Sequence, residues 1–157
     1  MDFSLTEEHL LIQEAARDFA QTELLPGVIE RDNAQKFPNE LVKKMGDLGF
    51  LGIMVDPKYG GSGMDAISYV LIIEELSKID ASASVIVSVN NSLVCYGLES
   101  YGSEAQKQKY LTKLATGEFV GAFCLSEPEA GSDATSQRTT AIDKGDHYII
   151  DGTKNWI

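Results

Sequence analysis

The stretch SVIVSVNNSLVCYGL, Ser84 to Leu98, decides how the chain folds. Its first half, Ser84-Val85-Ile86-Val87-Ser88-Val89, alternates and is β-branched, which favours a pleated strand. Its length through Leu98 without a turn signal favours a helix. Periodicity alone leaves both readings open. As a helix, it would carry Val85, Val89 and Leu93 on one face, at a spacing of about four residues. That row serves equally as a helix-packing stripe or as a binding face. Asn90 and Asn91 must find hydrogen-bond partners in either case, because buried amides are costly when unpaired.

The flanks speak more clearly. Ser4 followed by Glu7 resembles a capping box, and Leu11, Ile12, Ala15, Ala16 and Phe19 recur at helical spacing until Pro26. Pro38 at a first-turn position opens a second helix with Leu41, Val42, Met45 and Leu48 as its apolar face and Gly49 as its stop. From Asp65 the run Ala66 to Leu76 is apolar on nearly every side, which predicts a buried helix. Ser103 with Gln106 caps a last helix carrying Tyr110, Leu111 and Leu114, and Gly117 ends it.

After Gly117 the pattern changes. Phe119 to Leu125 reads as an apolar strand, and His147-Tyr148-Ile149-Ile150 reads as one arm of a hairpin that turns at Asp151-Gly152 and returns through Thr153 to Ile157. Such an arm has open edges that require partner strands, so the reading includes a truncated protein ending within a β domain.

Composition sets the limits. A chain of 157 residues with 43% hydrophobic content can bury a core, enough for one domain or for one and part of another. With 24 acidic against 13 basic residues the formal charge is -11, which repels phosphate backbones and anionic lipid and argues against nucleic acid as a partner. Cys95 and Cys124 sit in apolar runs without metal-ligand spacing, as expected of buried, reduced thiols. The N-terminus shows neither a signal sequence nor a transit peptide, and no apolar stretch reads as a membrane span, so a cytoplasmic location without membrane insertion is expected.

Three candidate chemistries fail on context. Gly61-Ser62-Gly63-Met64-Asp65-Ala66 formally fits a dinucleotide fingerprint behind Leu51 to Val55. Asp56 to Tyr59 separate that segment from the glycines, however, and Asp65 would set a negative charge where a pyrophosphate should lie. His9 and His147 have no nucleophile in an elbow pattern and read as surface histidines. Glu74 and Glu75 share a helix, where one is solvated or paired, and neither is assigned as a general base.

The end of the apolar run from Phe119 is more specific. Leu125-Ser126-Glu127-Pro128-Glu129-Ala130-Gly131-Ser132-Asp133 closely resembles the (T/S)EPxAGSD signature of the flavin-dependent acyl-CoA dehydrogenases. Tyr59-Gly60-Gly61-Ser62-Gly63-Met64-Asp65 resembles that family's YGGxGxD loop, and Asn91-Ser92-Leu93 its NSL element. Asp151-Gly152-Thr153-Lys154-Asn155-Trp156-Ile157 resembles its NGxKxWI strand. The resemblance covers the whole chain with the motifs in order, and the run Ser88 to Leu93 looks most like the short-chain, butyryl-CoA type.

The resemblance implies an all-helical N-terminal domain over 1–117, with Ser84 to Leu98 helical, followed by the first part of an antiparallel β domain over 118–157. It implies FAD as cofactor, a short-chain acyl-CoA substrate, an electron-transferring flavoprotein as redox partner and a homotetramer. The implied reaction is α,β-dehydrogenation, with a proton leaving Cα for a carboxylate base and a hydride leaving Cβ for flavin N5. In the family that base lies in a C-terminal domain, so no residue here is given a catalytic role, and this chain alone is expected to be inactive. By the matching motifs, Phe123, Cys124, Leu125 and Ser126 lie along the pyrimidine side of the flavin. Gly131 lets the chain approach a phosphate-bearing ligand, Ser132 reaches the FAD diphosphate or CoA, and Trp156 and Ile157 pack on the ring. The same comparison turns Val85, Val89 and Leu93 toward the acyl tail. Two alternatives remain on the sequence: a noncatalytic helical module, and an oxygen-using acyl-CoA oxidase of the same fold.

Overall fold

The computed structural model describes residues 4–157. Helix α1 (Glu7–Phe19) opens at Thr6, whose side chain accepts the His9 amide while the His9 ring accepts the Thr6 amide. This reciprocal box replaces the one expected at Ser4, because the helix begins later than the Ser4 and Glu7 pattern suggested. The helix runs on through a π turn, Ala20–Leu24, and stops before Pro26, which cannot continue it. A short helix α2 (Val28–Ala34) with no buried residue follows. Lacking an apolar stripe, it gave no periodic signal. Helix α3 (Asn39–Asp47) starts behind Pro38 and ends at Gly49 in the left-handed conformation, as its composition predicts.

Helix α4 (Ala66–Ser77) is capped by Asp65 and buries Ser68, Leu71, Ile72, Glu75 and Leu76. Burial on every side was expected; instead Ile67 and Val70 remain about half exposed, because α1 and the next helix cover only one face. That next helix settles the opening ambiguity. Helix α5 (Ala81–Ser88), a π turn Val89–Cys95 and α6 (Tyr96–Tyr101) form one continuous helix, Ala81–Tyr101. Burial of Ala83, Ser84, Val87, Asn90, Asn91 and Cys95 outweighs local strand propensity. It is also the one helix among the described residues long and apolar enough to cross a membrane, contrary to the reading of the sequence. Its buried amides mark it as a core helix: Asn90 Nδ2 donates to the Leu51 and Leu114 carbonyls, and Asn91 Nδ2 donates to those of Phe50 and Val87. A final helical stretch comprises α7 (Glu104–Gln106), a π turn Lys107–Leu111 and α8 (Thr112–Ala115), behind a capping box of Ser103 and Gln106.

Two clusters make up the helical core. Phe19, Leu24, Met45, Phe50, Leu51, Ile72, Leu76 and Val87 form the larger, with the Phe19 and Phe50 rings edge to face at 6.0 Å. Val55, Tyr59, Cys95, Leu111, Leu114 and Ala115 form the smaller. Burial pushes the Cys95 thiol up to about 12, so it stays protonated and inert. Cys124, expected to be buried as well, is exposed.

The chain divides into two compact units, the first ending at Gly121 and the second comprising Ala122–Ile157. In the second, β1 (Thr140–Asp143) pairs antiparallel with β2 (Tyr148–Asp151) in the register Thr140 to Asp151 and Asp143 to Tyr148. The turn lies at Lys144 to His147, where the Lys144 amide donates to the His147 carbonyl at 2.9 Å, and not at Asp151-Gly152. The polar run between the arms was the turn, and the Asp-Gly pair misled because it is also turn-forming. Phe119 to Leu125 forms no strand and pairs with none, so the strand expected there does not form in this chain.

Candidate functional site

The glycine loop that mimics a nucleotide fingerprint is filled by the protein itself. Leu51 to Val55 forms a tight turn beginning with a 3-10 segment, Phe50–Gly52, rather than a strand. The amides of Ser62, Gly63 and Met64 donate to the carbonyls of Gly52, Val55 and Ile53. A Cβ on Gly61 would lie 2.1 Å from the Val55 carbonyl oxygen, so glycine is required by close backbone packing, with no room for a phosphate. Asp65 at the end of this loop accepts Ser68 N–H at 2.9 Å and faces His9 Nε2 at 3.0 Å. These bonds hold the Asp65 carboxyl down at about 2. His9 is therefore a buried structural partner rather than the surface histidine the sequence suggested, whereas His147 is exposed. Glu75 is buried and paired with Arg17 and Lys78, while Glu74 is exposed.

The second unit has the opposite character. Glu127 and Ala130 exchange both backbone hydrogen bonds, making a tight turn with Pro128 and Glu129 at its tip. The Ser126 carbonyl accepts the Asn155 amide at 2.9 Å, which draws the two distant motifs, Leu125 to Asp133 and Asp151 to Ile157, onto one surface. Phe123, Cys124, Leu125, Gly131, Ser132, Trp156 and Ile157 are all exposed there, and Ser126 is half-buried. Trp156 is 95% exposed and holds a φ of +66°, a left-handed conformation rare for a bulky residue.

Several groups on this surface are unspent. The Ser126 and Ser132 hydroxyls make no hydrogen bond among the described residues, and the backbone amides of Ala122 to Ser126 donate to none. A Cβ on Gly131 would meet nothing within 4 Å, and its φ is not left-handed, so no intramolecular demand explains this glycine. Free donors beside apolar side chains suit a heteroaromatic ring with polar edges, and an open glycine beside a hydroxyl suits a phosphate. The residues present fit a flavin nucleotide.

Beneath this surface lies a residue that sequence reasoning passed over. Glu127 is 7% exposed, and its carboxylate accepts the Arg138 amide at 2.6 Å, the Thr139 amide at 3.1 Å and Lys154 Nζ at 2.8 Å. Those donors lower its carboxyl to about 2. No local pattern announced it, because its partners lie 11 to 27 residues away in sequence. Glu129, by contrast, is exposed and pairs with Arg138.

Val85, Val89 and Leu93 belong to the first unit. Val85 and Leu93 are exposed and Val89 half-buried, so the row is largely uncovered within this chain. Tyr69 on α4 bonds Ser88 beside it at 2.8 Å. Among the described residues no group of His, Cys, Asp and Glu could hold a metal ion.

Residues 6–118 match the family model described as acyl-CoA dehydrogenase, N-terminal domain. A short-chain specific acyl-CoA dehydrogenase of Clostridium acetobutylicum is 46% identical over 157 residues, covering 100% of this chain and 41% of that protein. A solved structure described under an electron transferring flavoprotein of Acidaminococcus fermentans superposes with a TM-score of 0.95 at 49% identity, over 98% of this chain and 40% of the other. A glutaryl-CoA dehydrogenase of Mycobacterium smegmatis in complex with FADH2 superposes with a TM-score of 0.91 at 38% identity, over 97% and 39%. The chain thus spans about two fifths of the length of these relatives. With its helical unit, its glycine loop and the match over residues 6–118 in agreement, the chain belongs to the acyl-CoA dehydrogenase family.

Proposed function

We propose that this chain carries part of the flavin and acyl-CoA sites of an FAD-dependent dehydrogenase that introduces an α,β double bond into a short-chain acyl-CoA and passes the electrons to an electron-transferring flavoprotein. The observation that carries the reading is the joining of Ser126 to Asn155, which brings the unspent Ser126 and Ser132 hydroxyls and the open Gly131 together with Trp156 and Ile157. The short-chain relative and the relative seen with FADH2 support it.

Bound FAD supplies the acceptor for the hydride that leaves the substrate. The chain's own residues bind and orient. The amides of Phe123 to Leu125 and the Ser126 hydroxyl donate to the polar edge of the ring, where preorganised donors stabilise developing negative charge. Gly131 and Ser132 receive a phosphate, and Phe123, Leu125, Trp156 and Ile157 exclude water. Val85, Val89 and Leu93 line the path of the acyl tail. The α-proton base is assigned to no residue of this chain. A homotetramer in the cytoplasm completes the proposal.

Protein made from the complete coding sequence should be yellow and should bleach anaerobically with butyryl-CoA. A colourless product that stays unresponsive after FAD is added would overturn the reading. Bleaching that is restored by oxygen alone, with no electron-transferring flavoprotein, would reassign it to the oxidases. Residues 1–157 alone are expected to show no turnover.

A further inference from the structure

We propose that Glu127 is a positioning residue: its buried carboxylate sets the Ser126 to Ser132 turn against the Lys154 to Trp156 segment. The proposal rests on the flavin reading for its functional consequence, but not for the anchor itself. Glu127 is buried between the half-buried Ser126 and the exposed Pro128-Glu129 tip. Three separate pieces of chain converge on it. Its own turn is closed by the paired bonds with Ala130, which is 1% exposed, and Gly131 and Ser132 follow directly. The Arg138 and Thr139 amides, just ahead of β1, both end on its carboxylate. Lys154 comes from the far side of β2, with its Nζ 2.8 Å from Glu127 Oε1 and 3.3 Å from the Leu125 carbonyl.

The neighbouring Asn155 amide then closes on the Ser126 carbonyl. Lys154 is itself only 26% exposed, so the pair is shielded from the salt that would weaken a surface contact. Besides this anchor, the unit joins these segments through Gln137 Nε2, which donates to the Leu125 carbonyl at 2.6 Å. Its only sheet is the two-stranded hairpin, every residue of which is exposed, so an apolar core does not fix the geometry. One anion with several donors does it instead. The donors lower the acid to about 2, so it is ionised at neutral pH. An amide in its place keeps the size but turns one acceptor into a donor facing the amides and the ammonium of Lys154.

The test compares Glu127→Gln with Asp146→Asn, which removes an exposed carboxylate from the hairpin turn, in protein made from the complete coding sequence. Two readouts are taken: hydrogen exchange of peptides covering residues 137–140 and 153–156 in the flavin-free protein, and FAD affinity. E127Q should raise exchange in both peptides about tenfold or more and weaken FAD about tenfold or more, while D146N changes neither. Wild-type exchange in E127Q overturns the proposal. Raised exchange with unchanged FAD affinity overturns its positioning role. If wild-type protein binds no flavin, the flavin reading falls, and the exchange contrast still decides the anchor. If E127Q does not fold, Lys154→Met serves: it should raise exchange at 153–156 and weaken FAD, and wild-type behaviour of both would overturn the proposal.

Discussion

His9 Nε2 lies 3.0 Å from Asp65 Oδ2, so the first turn of α1 and the cap of α4 are joined through one pair. Because His9 Nδ1 accepts the Thr6 amide, the ring proton sits on Nε2, facing the carboxylate. The Asp65 carboxyl, at about 2 against an ordinary 3.8, is lower in the folded protein, so it adds stability that is fully present above about pH 4 and lost as pH falls toward about 2. Asp65→Asn keeps a capping side chain but removes that charge. Thermal melts should show a steep fall for the wild type between about pH 4 and about 2, and a shallower one for D65N.

Asn90 should matter more for stability than its size suggests. It is fully buried, donates to the Leu51 and Leu114 carbonyls and accepts the Gly121 amide at 2.9 Å. Asn90→Ala leaves these backbone groups without partners, which should cost about 2–4 kcal/mol in denaturant unfolding.

The two glycines Gly61 and Gly131 should respond in opposite ways. Gly61→Ala forces a methyl against the Val55 carbonyl and should lower stability by about 2 kcal/mol or more. Gly131→Ala meets nothing, so stability should stay within about 0.5 kcal/mol, yet FAD affinity should fall. Loss of stability in G131A would point to a structural role for that glycine.

The thiols should separate under alkylation. Cys124 is exposed and should be modified quickly in the native protein, while Cys95 should react only after unfolding. Equal rates would contradict the packing of the second core cluster.

These cases show how far the sequence reached. The helices with a one-sided apolar stripe, α1 and α3, were legible because burial and periodicity coincide. Ser84 to Leu98 was legible only through the resemblance: β-branched propensity pulled one way and the need to bury Val87, Asn90 and Asn91 pulled the other. The hairpin was seen but misplaced, since Asp151-Gly152 and Lys144 to His147 are both turn-forming and only the pairing register chooses. Motif matching pointed to Ser126, Gly131 and Ser132 as candidate binding residues. It passed over the buried Glu127, because its partners lie at Arg138, Thr139 and Lys154, contacts that no local pattern encodes.

The π turn at Val89–Cys95 has a geometric outcome for the row Val85, Val89, Leu93. In an α-helix four residues overshoot a full revolution, whereas in a π turn they fall short of one. The row therefore drifts one way around the helix as far as Val89 and swings back the other way to Leu93. An extended ligand tracking it from end to end would have to curve.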